Sequence, residues 1–171
     1  LLDRAFSASV TVFKRKIDDL ITLDDSHWVN GEGQVRMRGF EADAKLAINA
    51  QWSLQADMTR NLTESRSGVT INDIPSFFAR SRIGFESENR MWGAGGAIRY
   101  IRDVTRSQQV ESGHYSVIDA DAYRYLDNAR QHRVSLLVEN LFDRDYVTSR
   151  ASNVDNLGRP FTSEVRYTYR F

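Results

Sequence analysis

Few residues in this chain are of a type that does bond-making chemistry. It has three histidines, His27, His114 and His132, and no cysteine. Imidazole is the usual base and metal ligand near neutral pH. His27 lies close to Asp24 and Asp25, and His114 close to Glu111, which are the pieces of a metal site or of an Asp/His pair. The spacing supports neither, because no HExxH or comparable pattern is present and both groups fall in polar stretches without periodicity. The sequence therefore leads us to expect no catalytic residue, no metal site and no cofactor. Gly93-Ala94-Gly95-Gly96 is not a phosphate cradle, since no Gly-Lys-Ser/Thr follows. Inside an alternating segment such glycines are expected to allow a bend, or the close approach of another part of the protein.

The totals narrow the class further. Basic and acidic residues balance at 23 each, so there is no field to draw in nucleic acid or an anionic surface. Without cysteine there is no disulfide framework. Apolar residues make up 41% of the chain, yet no run approaches the roughly 20 apolar residues of a membrane helix. A membrane-spanning reading then requires a β-barrel. Leu1 opens without a charged and apolar signal pattern, as expected of a mature or truncated chain.

The elements that must position any site are read from alternation. From Phe161 to Phe171 the chain alternates strictly, with Phe161, Ser163, Val165, Tyr167, Tyr169 and Phe171 on one face and Thr162, Glu164, Arg166, Thr168 and Arg170 on the other. Period two is a strand, and about 11 residues is the length a tilted strand needs to cross a bilayer. Similar alternation predicts strands from Ala5 to Leu23, with a bulge where the phase changes near Lys14-Arg15-Lys16. Further strands are predicted at Val35–Ile48, from Trp52 to about Thr59, at Phe77–Glu86, Trp92–Tyr100 and Tyr115–Leu126, and from Arg133 to Glu139. The connections alternate too. Long polar ones at 24–33, 60–76, 103–113 and 143–160 interleave with tight turns near 49, 89 and 129. This rhythm is that of an up-and-down transmembrane barrel, with long loops on one side and short turns on the other.

Within that frame, Val138-Glu139-Asn140-Leu141-Phe142-Asp143-Arg144-Asp145-Tyr146, then Gly158-Arg159-Pro160-Phe161 and a final strand ending in Phe171, resembles the carboxyl end of a TonB-dependent outer-membrane receptor. The Asn140, Leu141, Phe142, Asp143 and Tyr146 run matches the family's Asn-Leu-Phe-Asp-x-x-Tyr motif. Gly39-Phe40-Glu41, Ile74-Pro75 and Val117-Ile118-Asp119 are similar to weaker family patterns. Physically, Asn140 and Asp143 suit a strand exit, where they satisfy backbone groups, while Leu141, Phe142 and Tyr146 suit interfacial depth.

The resemblance implies an all-β wall of about eight antiparallel strands, residues 1–171, at the carboxyl end of a roughly 22-stranded barrel, the plug domain and earlier strands lying elsewhere. It implies the bacterial outer membrane, with long loops outside the cell. The implied role is TonB-driven uptake, most commonly of a ferric siderophore or related metal chelate, and not catalysis. Implied partners are outer-membrane lipid, the barrel-assembly machinery and the TonB complex through the plug. Tyr167, Tyr169 and Phe171 would form the insertion signal. Ligand would meet His27, Trp28, Tyr115, Tyr146 and Arg150, since aromatics stack on, and Arg pairs with, an anionic chelate. Two other readings fit the alternation: an autonomous eight-stranded outer-membrane barrel, which just fills its interior, and a soluble lipocalin-like binder whose apolar stripes point inward.

Overall fold

Strict alternation gives long strands. In the structure, a computed structural model that describes residues 5–19, 21–24, 27–30, 34–65, 75–102, 114–151 and 154–171, eight of them form one antiparallel sheet. These are β1 (Phe6–Asp18), β4 (Gln34–Ala47), β5 (Trp52–Ser65), β6 (Phe77–Glu86), β7 (Trp92–Arg102), β8 (Tyr115–Tyr125), β9 (His132–Glu139) and β12 (Thr162–Tyr169), in that spatial order. Two hairpins stand apart from the sheet, β2 (Ile21–Asp24) with β3 (His27–Asn30), and β10 (Val147–Ala151) with β11 (Val154–Leu157). Each strand of the sheet pairs with its neighbour in sequence, as expected of an up-and-down wall. The sheet is open, with β1 and β12 as its two edges.

The register sorts the side chains onto two unlike faces. Rows such as Trp92, Arg124, Val134 and Tyr167, or Ala94, Ala122, Leu136 and Val165, run across β7, β8, β9 and β12 on one face. That face is apolar and exposed: Val12 is 81% accessible and Val165 73%. The stripes from Trp52 to Met58 and from Trp92 to Tyr100 lie on it, so they do not line an interior as the lipocalin-like reading requires. A face so apolar needs lipid to cover it. On the opposite face, side chains of β6 reach those of β8 across β7, as the concave side of a curved sheet allows. The few buried apolar residues, Val35, Ala97, Tyr115 and Val117, belong to this concave face.

Aromatics mark both margins of the apolar face. At the end with tight turns, Trp52, Phe85 and Trp92 form a row with ring centroids 4.9 Å apart. His132 joins Tyr169 at 4.8 Å, and its Nδ1 lies 2.6 Å from the Tyr167 hydroxyl. At the other end Phe77, Tyr100 and His114 are spaced 6.0 and 6.2 Å. Two aromatic belts with an apolar band between them are what a membrane-spanning barrel wall requires.

Some boundaries differ from those alternation suggested. β1 has no bulge, because Phe6↔Leu46 through Asp18↔Gln34 is an unbroken ladder. Its change of phase at Lys14 is a change of surroundings: Val10 and Val12 face lipid, and beyond them apolar Phe13 and Ile17 turn to the concave face as the strand leaves the apolar band. β5 continues through the polar run Arg60 to Ser65, paired with β4 as far as Val35↔Ser65. The first strand ends at Asp18 and not at Leu23, because Ile21 and Leu23 pair in the separate β2–β3 hairpin, of which only Asp24 and β3 fall in the 24–33 connection. The 143–160 connection carries the β10–β11 hairpin. Positions 66–74 and 103–113 of the other long connections lie outside the described residues.

The tight turns are closed by side chains. Asn49 Oδ1 accepts the Gln51 and Trp52 N–H groups at 2.9 and 2.8 Å. Asn89 Oδ1 accepts Met91 N–H at 3.1 Å, and Arg130 in turn donates to the Asn89 carbonyl at 3.1 Å, tying one turn to the next. Asp127 accepts the His132 and Gln131 N–H groups at 2.8 and 3.3 Å. The His132 N–H bond is the main reason its carboxyl sits below the ordinary value. A carboxylate with a depressed folded pKa stabilises the turn fully above its unfolded value of about 3.9, and that contribution is lost as pH falls through the lower folded value. We expect the His132 amide to lose hydrogen-exchange protection below this window, and Asp127→Asn to abolish that pH step. A step that survives in Asp127→Asn would assign it to another group.

Candidate functional site on the concave face

The concave face gathers charges that alternation places on one side of three adjacent strands. Arg82 on β6 reaches across β7 to Asp121 on β8, with Nη1–Oδ1 at 2.5 Å and Nη2–Oδ2 at 2.9 Å. Arg99 on β7 pairs with Asp119 on β8 through Nε–Oδ2 at 3.0 Å and Nη2–Oδ1 at 3.3 Å. Nearer the tight turns, the Tyr123 hydroxyl donates to Glu86 at 2.9 Å, and the Arg133 guanidinium lies 4.3 Å from the Tyr123 ring centroid and 5.9 Å from that of Tyr125. Two-pronged Arg–carboxylate pairs hold both partners in one geometry. They give this wall fixed positions of both charge signs facing the barrel interior.

The glycines of β7 have their role here. A Cβ at Gly95 would stand 2.5 Å from Arg82 Nη2, and one at Gly93 would stand 2.6 Å from Tyr123 Cε1 and 2.8 Å from the Phe85 carbonyl oxygen. The close approaches at Gly95 and Gly93 come from Arg82 and Tyr123 of this same sheet. Gly96, whose nearest such neighbour is 3.7 Å away, is under no comparable restriction.

At the end with long connections, the Asn140–Tyr146 run leaves β9 and continues beside the upper part of β8, where Leu141 N–H donates to the Ile118 carbonyl at 2.7 Å and Arg144 to Ser116 Oγ at 2.9 Å. Asn140 is 2% exposed, adopts φ 51°, and donates through Nδ2 to the carbonyls of Arg144 at 2.9 Å and Arg159 at 3.0 Å. Its Oδ1 accepts Arg144 N–H at 2.9 Å, while its own N–H donates to Asp119 Oδ1 at 3.0 Å. Asp143, at φ 48°, accepts Phe161 N–H at 2.7 Å and so ties the start of β12 to the exit of β9. Arg159 donates to Glu139 at 2.8 Å, and that bond holds its guanidinium above the ordinary range. Asn and Asp tolerate left-handed backbone and bond to nearby main chain, which explains their place in this exit.

Leu141 and Phe142 are exposed, at 39% and 72%. Tyr146 departs from the expectation for an interfacial ring. It turns to the concave face, where its ring lies 4.5 Å from that of Tyr115 and covers Gly158 so closely that a Cβ there would meet it at 2.0 Å.

Of the five ligand candidates, the structure brings Tyr115 and Tyr146 together. Tyr115 is 9% exposed and Tyr146 half-buried, so Tyr146 is the member of the pair more open to a ligand. His27, an exposed residue, and Trp28 lie on β3, opposite Asp24 and Leu23 of β2. Arg150 lies on β10, opposite Asp155 of β11. The sequence reading missed Arg82, Arg99, Asp121, Glu86 and Arg133, and noted Asp119 only as part of a pattern. Their shared parity on neighbouring strands was the available signal.

A family model for the TonB dependent receptor-like β-barrel matches residues 1–157. The chain belongs to the TonB-dependent receptor family. TonB-dependent receptors are outer-membrane transport proteins and not enzymes, so the open apolar-faced sheet is outer-membrane barrel wall. Solved structures share the fold. The ferric-catecholate import receptor Fiu from K12 E. coli aligns with TM-score 0.78 at 20% identity, covering 100% of this chain and 26% of that one. The copper transporter OprC aligns with TM-score 0.83 at 20% identity, over 97% of this chain and 28% of that one. The siderophore receptor PiuA from Acinetobacter baumannii aligns with TM-score 0.78 at 16% identity, over 99% and 26%. This chain thus spans about a quarter of the length of each of these receptors. No match was found among curated proteins.

Proposed function

We propose that this chain is the carboxyl-terminal wall of a TonB-driven outer-membrane importer of a ferric siderophore or related metal chelate. The plug and the earlier strands would be supplied by the rest of the barrel. The observation that carries this reading is the open eight-stranded sheet, which aligns over nearly its whole length with only about a quarter of receptors named for importing iron chelates or copper. In this reading the concave face lines the transport path. The half-buried Tyr146, backed by Tyr115, and the hairpins bearing His27, Trp28 and Arg150 meet the chelate, and aromatic and guanidinium groups suit an anionic complex. Coupling to the TonB complex runs through the plug. Tyr167, Tyr169 and Phe171 face lipid at the tight-turn margin and are read by the barrel-assembly machinery.

Two measurements test the proposal. Radio-iron uptake by cells carrying the intact receptor should require both this wall and TonB, and uptake that persists without TonB would overturn it. Separately, the 171-residue chain given a signal peptide should fail to give a compact, heat-modifiable band by itself. A compact inserted band would instead support an autonomous eight-stranded barrel.

A further inference from the structure

The lipid-facing side of the sheet carries a groove that a uniform barrel surface would lack. About 650 Å³ in volume, it runs along β7, β8 and β9 from the tight-turn margin towards the centre of the apolar band. Its floor is Ala94 beside Ala122, partners in register, and its walls are Trp92 on one side and Val134 and Leu136 on the other. At its turn-side end stand Leu126 and Arg124, the latter in the row between Trp92 and Val134. Among the described residues Arg124 makes no hydrogen bond or ion pair, whereas Arg82, Arg99 and Arg159 all hold carboxylates.

We propose that this groove is a binding site for one anionic phospholipid of the periplasmic leaflet, its phosphate on the Arg124 guanidinium and one acyl chain along the Ala94–Ala122 floor. Tight turns mark the periplasmic end of an outer-membrane barrel, so the mouth of the groove opens at the level of that leaflet's headgroups. Charge complementarity selects the occupant. A guanidinium left without a protein partner beside an apolar trough fits a molecule that is anionic at one end and hydrocarbon beyond it. Trp92 sits at the same depth, where an indole prefers the boundary between headgroup and chain. An arginine that merely reaches up into bulk headgroups needs no groove beneath it. The two features together distinguish a site from a general anchor.

The experiment uses the intact receptor purified from outer membranes in mild detergent, followed by native mass spectrometry with added phosphatidylglycerol or phosphatidylcholine. Wild-type protein is expected to retain phosphatidylglycerol in preference to phosphatidylcholine. Arg124→Gln removes the charge-assisted bonds and should weaken phosphatidylglycerol retention by roughly tenfold or more. Ala122→Phe fills the floor with an apolar residue on a lipid-facing position, so the barrel should keep its heat-modifiable mobility while losing the bound lipid. Equal retention of the two lipids by wild type would overturn the proposal. So would retention of phosphatidylglycerol by Ala122→Phe at the wild-type level, which would leave Arg124 as a headgroup anchor only.

Discussion

Asn140→Ala is expected to destabilise the outer end of the β9–β12 junction by about 2–4 kcal/mol. Its side chain closes three hydrogen bonds, to Arg144 N–H and to the carbonyls of Arg144 and Arg159, from a position only 2% exposed. A polar group left without its partner in such a place costs about 1–3 kcal/mol, and the exposure of the arginines puts the carbonyl losses near the lower figure because water replaces part of the bonding. The left-handed backbone at φ 51° adds roughly 1 kcal/mol for a residue such as alanine. The test is the temperature at which the intact receptor loses its compact, heat-modifiable mobility, read together with protease cleavage between 143 and 160. Asn140→Gly separates the causes, since it relieves the backbone term and restores none of the bonds. If Asn140→Ala melts and resists protease like wild type, the hydrogen-bonded exit is dispensable.

Gly39→Ala should be as damaging by a different route. A Cβ at Gly39 would stand 1.9 Å from the Arg60 carbonyl oxygen and 2.7 Å from Phe13 Cζ. Phe13 Cζ is the far end of a side chain, but the Arg60 carbonyl is main chain of the strand that pairs with β4 and moves only if that ladder opens. Overpacking generally costs about 1–3 kcal/mol, and the upper end is expected where main chain must give way. The readout is the yield of folded receptor in the outer membrane, with Gly96→Ala as the comparison because a Cβ there would make only an ordinary van der Waals contact, 3.7 Å from the Asp119 carbonyl oxygen. Equal yields of the two variants would show that the Gly39 approach relaxes at little cost.

Legibility in the sequence followed the surroundings of each segment. β6 is bounded at Phe77 and Glu86 in both readings, because its whole length lies in the apolar band with lipid on one side and polar groups on the other. Where a strand leaves that band, the signal changes meaning. Phe13 and Ile17 imitate a bulge, and Arg60 to Ser65 imitate a loop, although both runs remain hydrogen-bonded in regular ladders. The hairpins of β2–β3 and β10–β11 have four or five residues per strand, too few for alternation to register. Asn140 and Asp143 were legible as backbone-bonding residues, but the turn of Tyr146 onto Tyr115 depends on the path of the chain between Asn140 and Gly158, which alternation does not describe. The pairs Arg82–Asp121 and Arg99–Asp119 were hidden for a related reason: parity places side chains on one face, and register alone decides which of them meet.

The two aromatic belts also set a length. Phe77 and Phe85 stand at opposite margins of the same strand, eight residues apart, which is roughly 26 Å along β6 and about 20 Å across the membrane once strand tilt is allowed for. The wall is therefore matched to a thin hydrocarbon layer, as the bacterial outer membrane is, and mismatched to one of about 30 Å. In the thicker bilayer either the lipid must compress around the sheet or the turn-side row of Trp52, Phe85 and Trp92 must sink below the headgroups. Hydrophobic mismatch would thus disfavour this wall in the wrong membrane before any loop or ligand is involved.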